Sequence, residues 1–290
     1  MMPAGKIAIV TDSVACLPPE IAETHNISII PAGTIYYEGR VYRDSIDLDN
    51  AEAYRILESS PGDFFTGPTT PAEFLELFRR LGESNKAILY ISLSSKLSTL
   101  YNSAMIARDM ACKELTDTRI EVMDSTTATA AQGFIALASA QAAHNGKNMD
   151  EIMEIAQKVK HRADLYYVLD TVKYVYRTGR VPRPVAEFGS KINVKPLVTL
   201  KNGNAQILGL VRSTSRGIKS LQKIARERIG DYPVHMAVLH ADAPAEAEEL
   251  CKGFMHDFNC VELWTSEFSP LMVYAAGKYV LGIAFYTEKP

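Results

Sequence analysis

The sequence has few cysteines and no apolar run long enough to span a membrane. Its four cysteines are scattered over 290 residues without a Cys-x-x-Cys pair, which argues against a disulfide framework and against a metal site. The apolar segment at residues 7–10 is too short for the core of a signal peptide. The least polar stretch, residues 128–143, is too short and too polar for an integral membrane segment and predicts a buried helix. We therefore expect a protein of the reducing cytoplasm.

Neither sign of charge is in large excess, and common cofactor motifs are missing. The 31 Lys and Arg against 34 Asp and Glu give a net charge of −3, so no global positive field would attract nucleic acid. The sequence contains no GxGxxG after its first predicted strand, no GxxxxGK[ST], no HExxH and no GxSxG. These absences disfavour dinucleotide-binding, P-loop, zincin and α/β-hydrolase proteins, and we expect no cofactor.

The residues that are present form the pattern of an α/β protein. The composition, 47% hydrophobic and 22% charged, is that of an ordinary globular chain, and the length predicts about two domains. Short Ile- and Val-rich runs alternate with segments whose apolar residues recur at helical spacing, which predicts βαβ units and a parallel sheet. In the first half of the chain the predicted strands are residues 6–10, 27–31, 87–91 and 119–123. The predicted helices are residues 18–25, 50–59, 71–82, 98–112, 125–144 and 149–162. Residues 34–42 predict a hairpin outside the sheet.

The second half has a different pattern, with a predicted boundary near residue 165. Asn202-Gly203 between two apolar runs predicts a hairpin. Further predicted strands lie at residues 165–169, 235–240, 261–265 and 279–286, and helices at 214–229 and 243–258. Hairpins mixed with helical crossovers predict a mixed sheet covered by helices.

Serine residues follow the predicted parallel strands. Ser13 follows the first strand, Ser95 and Ser98 follow the third, and Ser125 follows the fourth. Ligands of open parallel sheets bind at the carboxyl ends of the strands, where these loops are expected to meet. Ser98 also precedes a predicted helix, whose free N–H groups favour a carboxylate or phosphate. Taken singly, Ser98 and Ser125 are equally explained as helix N-caps.

Thr66 and an arginine cluster provide further polar candidates. Thr66 lies in a predicted loop, four residues before Thr70, the predicted N-cap of the next helix, and is not needed for that cap. Arg177, Arg180 and Arg183 surround a glycine and a proline. Such a cluster is typical of a site for a phosphate or an acidic partner, and equally of a solvated loop.

His240 is the last residue of a predicted strand and could pair with Asp242. One hypothesis is a serine-dependent hydrolase or transferase that uses Ser98 or Ser13 with His240. A strand-end histidine at a domain interface is the simpler interpretation. A third hypothesis, a binder of phosphorylated sugars, would require a hydrophilic cleft.

Several motifs, taken in order, resemble the DegV family of bacterial fatty-acid-binding proteins, the acyl-carrying subunits of fatty acid kinase. The segments that carry the resemblance are TDSVACLP from Thr11, TGPTTP from Thr66, SSKLSTLY from Ser94, DS with QG from Asp124 to Gly133, TGRV from Thr178, HAD from His240 and LGIAFY from Leu281. Each motif alone is weak, but together they cover residues 6–288 in order.

The resemblance implies a two-domain DegV-like α/β fold. Residues 1–165 would form a three-layer α/β/α domain that buries a long-chain fatty acid, and residues 166–290 a two-layer domain with a mixed sheet that closes over the head group. Thr66 and Ser98 would hold the carboxylate at the domain interface, with Arg180 nearby. Additional candidate contacts are Ser13, Ser95, Ser125 and His240. The catalytic subunit of a fatty acid kinase would phosphorylate the carboxylate, so this chain would bind lipid without being an enzyme.

The acyl chain is expected to lie against residues 128–143 and against the Ile and Met side chains of residues 104–110.

One position departs from the resembled pattern: where the family has a head-group histidine in THTGPGALG, this sequence has Ala275 in YAAGKYVLG. Lys278 and Tyr274 are close enough in sequence to replace that histidine. The departure predicts fatty acid binding with impaired transfer to the kinase.

Overall fold

The computed structural model describes residues 6–59, 65–180 and 194–289. The chain forms two compact units, the first of Met1–Asp47 and Phe65–His161 and the second of Leu48–Phe64 and Arg162–Pro290. The domain ranges predicted from the sequence, 1–165 and 166–290, differ from these units chiefly in residues 48–64. Helix α2 (Asn50–Ser59) packs with the second unit because the Tyr54 hydroxyl donates to Glu267 there, at 2.7 Å.

The first unit is built on a parallel sheet of strand order β2-β1-β6-β7. The strands are β1 (Ile7–Asp12), β2 (Ile27–Ile30), β6 (Ala87–Ser92) and β7 (Arg119–Asp124). The helices are α1 (Pro19–Thr24), α3 (Pro71–Gly82), α4 (Leu100–Glu114), α5 (Thr129–His144) and α6 (Met149–Arg162). Every residue of β6 is buried, as expected for an inner strand with both faces covered. The predicted parallel α/β arrangement is confirmed.

A small antiparallel sheet of order β4-β3-β5 also belongs to the first unit. It contains β3 (Gly33–Tyr37), β4 (Arg40–Arg43) and β5 (Phe65–Pro68). The predicted hairpin is confirmed, with Glu38 and Gly39 at positive φ in its turn. The predicted loop at residues 65–68 is wrong, because this segment pairs with the open edge of β3.

The second unit contains a mixed sheet of order β10-β9-β8-β13-β11-β12, in which β11 and β12 are parallel and the other pairs antiparallel. Its strands are β8 (Asp164–Val168), β9 (Lys195–Lys201), β10 (Asn204–Val211), β11 (Val234–Ala241), β12 (Cys260–Glu267) and β13 (Val280–Thr287). Its further helices are α7 (Lys173–Arg177), α8 (Thr214–Ile229), α9 (Pro244–Asp257) and α10 (Pro270–Ala276). Leu221 of α8 and Phe254 of α9 share one buried core with Val238 and Ile283 of the sheet. The predicted mixed sheet is confirmed.

Helix α5 has buried residues along nearly its whole length, as predicted for the alanine-rich segment. In the ranges that the structure describes, no helix has both the length and the apolar character needed to cross a membrane. On α4, Ala104 and Ala107 are fully buried, whereas the side chains of Ile106 and Met110 are 53% and 44% exposed. The expectation that Ile106 and Met110 line an apolar slot is therefore wrong, because they lie on the outer face of the helix.

Candidate functional site

The carboxyl ends of β1, β6 and β7 lie side by side, because the three strands are parallel neighbours. The loops that follow these strands are joined by backbone hydrogen bonds. The amide of Ser94 donates to the carbonyl of Thr127 at 3.0 Å, and the amide of Ser125 donates to the carbonyl of Ser92 at 3.1 Å. The structure thus brings together the loops that the strand pattern predicted to meet.

Asp12 is the buried centre of this edge. Its Oδ1 accepts from the Val14 amide at 3.1 Å, and its Oδ2 accepts from the Tyr90 hydroxyl, the Leu93 amide and the Gln132 side chain, each at 2.9 Å. Burial raises the pKa of Asp12 to about 6, although the four donors favour the charged form. Sequence reasoning did not select Asp12 or Gln132, although both lie in the motifs that carry the family resemblance.

Three of the predicted serines already donate their hydroxyl protons within the first unit. Ser13 Oγ donates to Asp44 at 2.5 Å and accepts from the Ala32 amide at 2.8 Å. Ser95 Oγ donates to Asp124 at 2.5 Å. These two hydroxyls stabilise the loops after β1 and β6 by hydrogen bonds to the carboxylates of Asp44 and Asp124.

Ser125 has an equally local role. Its hydroxyl donates to the Thr127 carbonyl at 3.1 Å and accepts from the amide of the same residue at 3.2 Å. Ser125 lies immediately after β7, as the sequence predicted. The alternative prediction that Ser125 is a helix N-cap is wrong, because the following helix begins at Thr129.

Ser98 and Thr66 differ from the other hydroxyl candidates. Ser98 is half-buried, its Oγ accepts from the amide of Leu100, the first residue of α4, at 3.2 Å, and its own proton is donated to no group in the described ranges. Thr66 is half-buried and pairs with the fully buried Ile35 across β3, so both side chains lie on the inner face of the small sheet. Its hydroxyl makes no hydrogen bond to any described residue. Of the five hydroxyl candidates, Ser98 and Thr66 are thus the two whose protons are donated to none of the described residues.

The small sheet is tied to the carboxyl end of β1. The amide of Thr69, directly after β5, donates to the carbonyl of Ala32 at 3.3 Å, and the amide of Ala32 donates to Ser13 Oγ. Thr69 Oγ1 also donates to the carbonyl of Pro31. Because Thr69 is only three residues from Thr66, these bonds place the Thr66 strand beside the loop that follows β1.

His240 belongs to β11 of the second unit, where its side chain is buried. Its Nδ1 has no hydrogen-bond partner among the described residues, and burial lowers its pKa despite nearby carboxylates. The expected pair with Asp242 is wrong, because the Asp242 carboxylate accepts instead from Lys278 at 2.8 Å. The hydrolase hypothesis is therefore weakened in two ways. No described residue orients the His240 ring through Nδ1, and the Ser13 hydroxyl donates its hydrogen bond to Asp44.

The arginine cluster also belongs to the second unit. Arg177 Nη2 donates to the Tyr274 carbonyl at 3.1 Å, and its guanidinium lies 4.4 Å from the centre of the Tyr274 ring. Arg180 is half-buried, and burial lowers its pKa. Arg183 lies outside the described residues.

The two candidate replacements for the missing histidine are already engaged. Lys278 Nζ forms ion pairs with Glu58 at 2.6 Å and Asp242 at 2.8 Å, and Tyr274 is covered by Arg177. Ala275 lies between them in α10 and is half-buried. Both side chains therefore have partners within the second unit.

Comparison with known proteins agrees with this fold. The family model described as "Uncharacterised protein, DegV family" matches residues 6–288. A DegV domain-containing protein of Caldanaerobacter subterraneus is 36% identical over 214 residues, 74% of each chain. The crystal structure of DegV, a fatty acid binding protein from Bacillus subtilis, has 28% identity and a TM-score of 0.87, covering 98% of this chain and 100% of that one. A DegV family protein from Eubacterium eligens loaded with heptadecanoic acid has 20% identity and a TM-score of 0.86, with 97% and 100% covered. This chain belongs to the DegV family.

Proposed function

We propose that the chain binds a long-chain fatty acid, with the acyl chain in the first unit and the carboxylate held by the hydroxyls of Thr66 and Ser98. The observation that carries the proposal is the division among the candidate hydroxyls: Ser13, Ser95 and Ser125 donate to described residues, whereas Thr66 and Ser98 donate to none of them. A carboxylate accepts such hydrogen bonds and offers none in return. The Bacillus subtilis relative, described as a fatty acid binding protein, supports this choice of ligand.

The acyl chain supplies most of the binding free energy. Burying about 14 methylenes at about 0.8 kcal/mol each releases roughly 11 kcal/mol before the costs of association. An apolar site needs only a few polar groups to orient its ligand. The acyl chain would have to pack against the apolar interior of the first unit, to which the alanine-rich α5 contributes buried residues along nearly its whole length.

The proposal extends to a partner. The catalytic subunit of a fatty acid kinase would transfer a phosphoryl group to the bound carboxylate, giving an acyl phosphate, and this chain would act as a lipid-binding subunit without its own catalysis. The absence of P-loop and dinucleotide motifs from the sequence is consistent with that division of labour. Head-group roles for Arg180 and His240, and a cytoplasmic location, remain predictions.

The test compares oleic acid with its methyl ester as ligands for Thr66→Val and Ser98→Ala. Each variant should bind the acid about tenfold or more weakly, since a hydrogen bond to a charged group is lost, and should bind the ester almost unchanged. Thr34→Val is the matched control, because Thr34 pairs with Gly67 and so lies on the other face of the same small sheet from Thr66. Unchanged affinity for the acid in both variants would exclude these hydroxyls. Labelling of Ser98 by a fluorophosphonate would instead support the hydrolase hypothesis.

A further inference from the structure

We propose that Asp12 is a positioning residue for the head-group site, because one carboxylate fixes both the turn after β1 and the loop that leads to Ser98. The inference rests on the proposed function, in that Ser98 is taken as a ligand contact. Asp12 itself is fully buried and does not touch solvent.

The hydrogen bonds of Asp12 reach both segments. Through Oδ1 it holds the Val14 amide in the short helical turn after β1, and through Oδ2 it holds the amide of Leu93, the first residue after β6. Two backbone hydrogen bonds hold the loop between Leu93 and Ser98. The Ser94 amide donates to the Thr127 carbonyl at 3.0 Å, and the Ser98 amide donates to the Ser94 carbonyl at 3.2 Å. A displacement at Leu93 is thus transmitted to Ser98 over a short, hydrogen-bonded path.

The hydrogen bonds of Asp12 favour the carboxylate form, against the effect of burial, which raises its pKa to about 6. All four partners are donors, and the Tyr90 hydroxyl and the Gln132 amide share Oδ2 with the Leu93 amide. Other contacts agree with this orientation of the Gln132 amide: its Nε2 also donates to Thr11 Oγ1 at 2.9 Å, and the Thr11 hydroxyl donates its own proton to the Ile91 carbonyl. An asparagine at position 12 would place an NH₂ group against these donors, or lose half of its acceptors, without changing the volume of the side chain.

The experiment measures the affinities of oleic acid and methyl oleate for the full chain at about pH 7.5, where a carboxyl of pKa about 6 is mainly ionised. Asp12→Asn should weaken binding of the acid about tenfold and change binding of the ester by less than about twofold. The control is Asp47→Asn, which removes the same charge from the exposed Arg43 ion pair of the first unit and should change neither affinity. The loss of preference for the acid is the readout that a merely structural role would not move.

Each outcome decides the matter. The positioning role is refuted if wild type and a folded Asp12→Asn bind the acid equally well, or if the substitution weakens binding of acid and ester equally. Either result leaves the proposed function intact. Absence of saturable oleic acid binding by the wild type refutes the proposed function and the inference with it. If Asp12→Asn does not fold, Tyr90→Phe removes one of the hydrogen bonds to Oδ2 and keeps the ring. It should weaken binding of the acid about threefold, and an unchanged acid preference refutes the inference.

Discussion

Gly282→Ala should destabilise the second unit, because strand β13 lies so close to the buried Tyr167 that there is no room for a methyl group at position 282. Gly282 pairs with Tyr167 across β13 and β8. A Cβ at position 282 would lie 2.2 Å from Cδ1 and 2.4 Å from Cε1 of Tyr167, and 3.1 Å from the Tyr166 carbonyl oxygen. The Tyr167 ring is itself held edge-on against Phe268, with the ring centres 5.5 Å apart. The ring therefore has to move into an occupied space.

The expected cost follows from overpacking. Inserting a methyl group into a packed core costs about 1–3 kcal/mol. Replacing glycine also restricts the unfolded chain, which returns about 0.4–1 kcal/mol. A net loss of about 1–2 kcal/mol in the free energy of unfolding is the expected result at Gly282. Gly209→Ala in β10 is the matched control, because among the described residues no atom beyond its two chain neighbours would lie within 4 Å of a Cβ there.

The assay is guanidinium unfolding followed by tryptophan fluorescence. Trp264 is the only tryptophan of the chain and lies in β12, so its signal reports on the second unit. A folded Gly282→Ala as stable as Gly209→Ala would refute the steric argument. The double variant with Tyr167→Ala provides a second check, since removing the ring should abolish most of the cost of Gly282→Ala.

Two further predictions concern the second unit. Ala275→His should increase acyl phosphate formation when the chain is combined with a fatty acid kinase catalytic subunit and ATP, because an imidazole can orient a carboxylate and alanine cannot; equal, rapid product formation by both chains would contradict this. Burial lowers the pKa of His235, but its contacts with Glu262 at 2.8 Å and Glu288 at 3.3 Å outweigh that effect and the net pKa is raised. The ion-pair contribution to stability is therefore complete below the ordinary histidine pKa and is lost as the pH rises through the raised value. His235→Gln should flatten the pH dependence of the unfolding free energy from the ordinary histidine pKa upward, and an unchanged slope would show that these contacts are not coupled to folding.

Elements with strong local signals could be predicted from the sequence. Helix α3 matches its predicted range because Thr70 and Glu73 form a capping box before Pro71 and a periodic apolar face follows. Helix α10 was missed although the same kind of signal, Ser269 before Pro270, begins it. Its first turn lies in a short segment without a clear apolar period.

Features that depend on distant partners could not be predicted. The Thr66 strand contains a glycine and a proline, which disfavour strands, and it forms only because β3, some thirty residues earlier, has an open edge. The attachment of α2 to the second unit depends on Tyr54, whose hydroxyl contacts Glu267 and the Asp242 amide. No local pattern in residues 50–59 indicates those contacts.

The candidate site was predicted in part for the same reason. The rule that ligands bind at the carboxyl ends of parallel strands placed Ser13, Ser95, Ser98 and Ser125 at one edge of the sheet. It did not distinguish the hydroxyls that remain available, because that depends on carboxylates elsewhere in the chain, such as Asp44 beside Ser13. The contacts of Asp12 likewise come from separate elements, and only the assembled sheet brings them together.

Fatty acid binding by this chain is tested most simply by identifying and counting the lipid bound to the purified protein. Mass spectrometry of an organic extract, followed by titration of the delipidated chain with oleic acid, gives both the chemical class and the stoichiometry. We expect about one long-chain fatty acid per chain, either co-purified or bound at saturation. No fatty acid in the extract, together with no saturable binding of oleic acid, would contradict it.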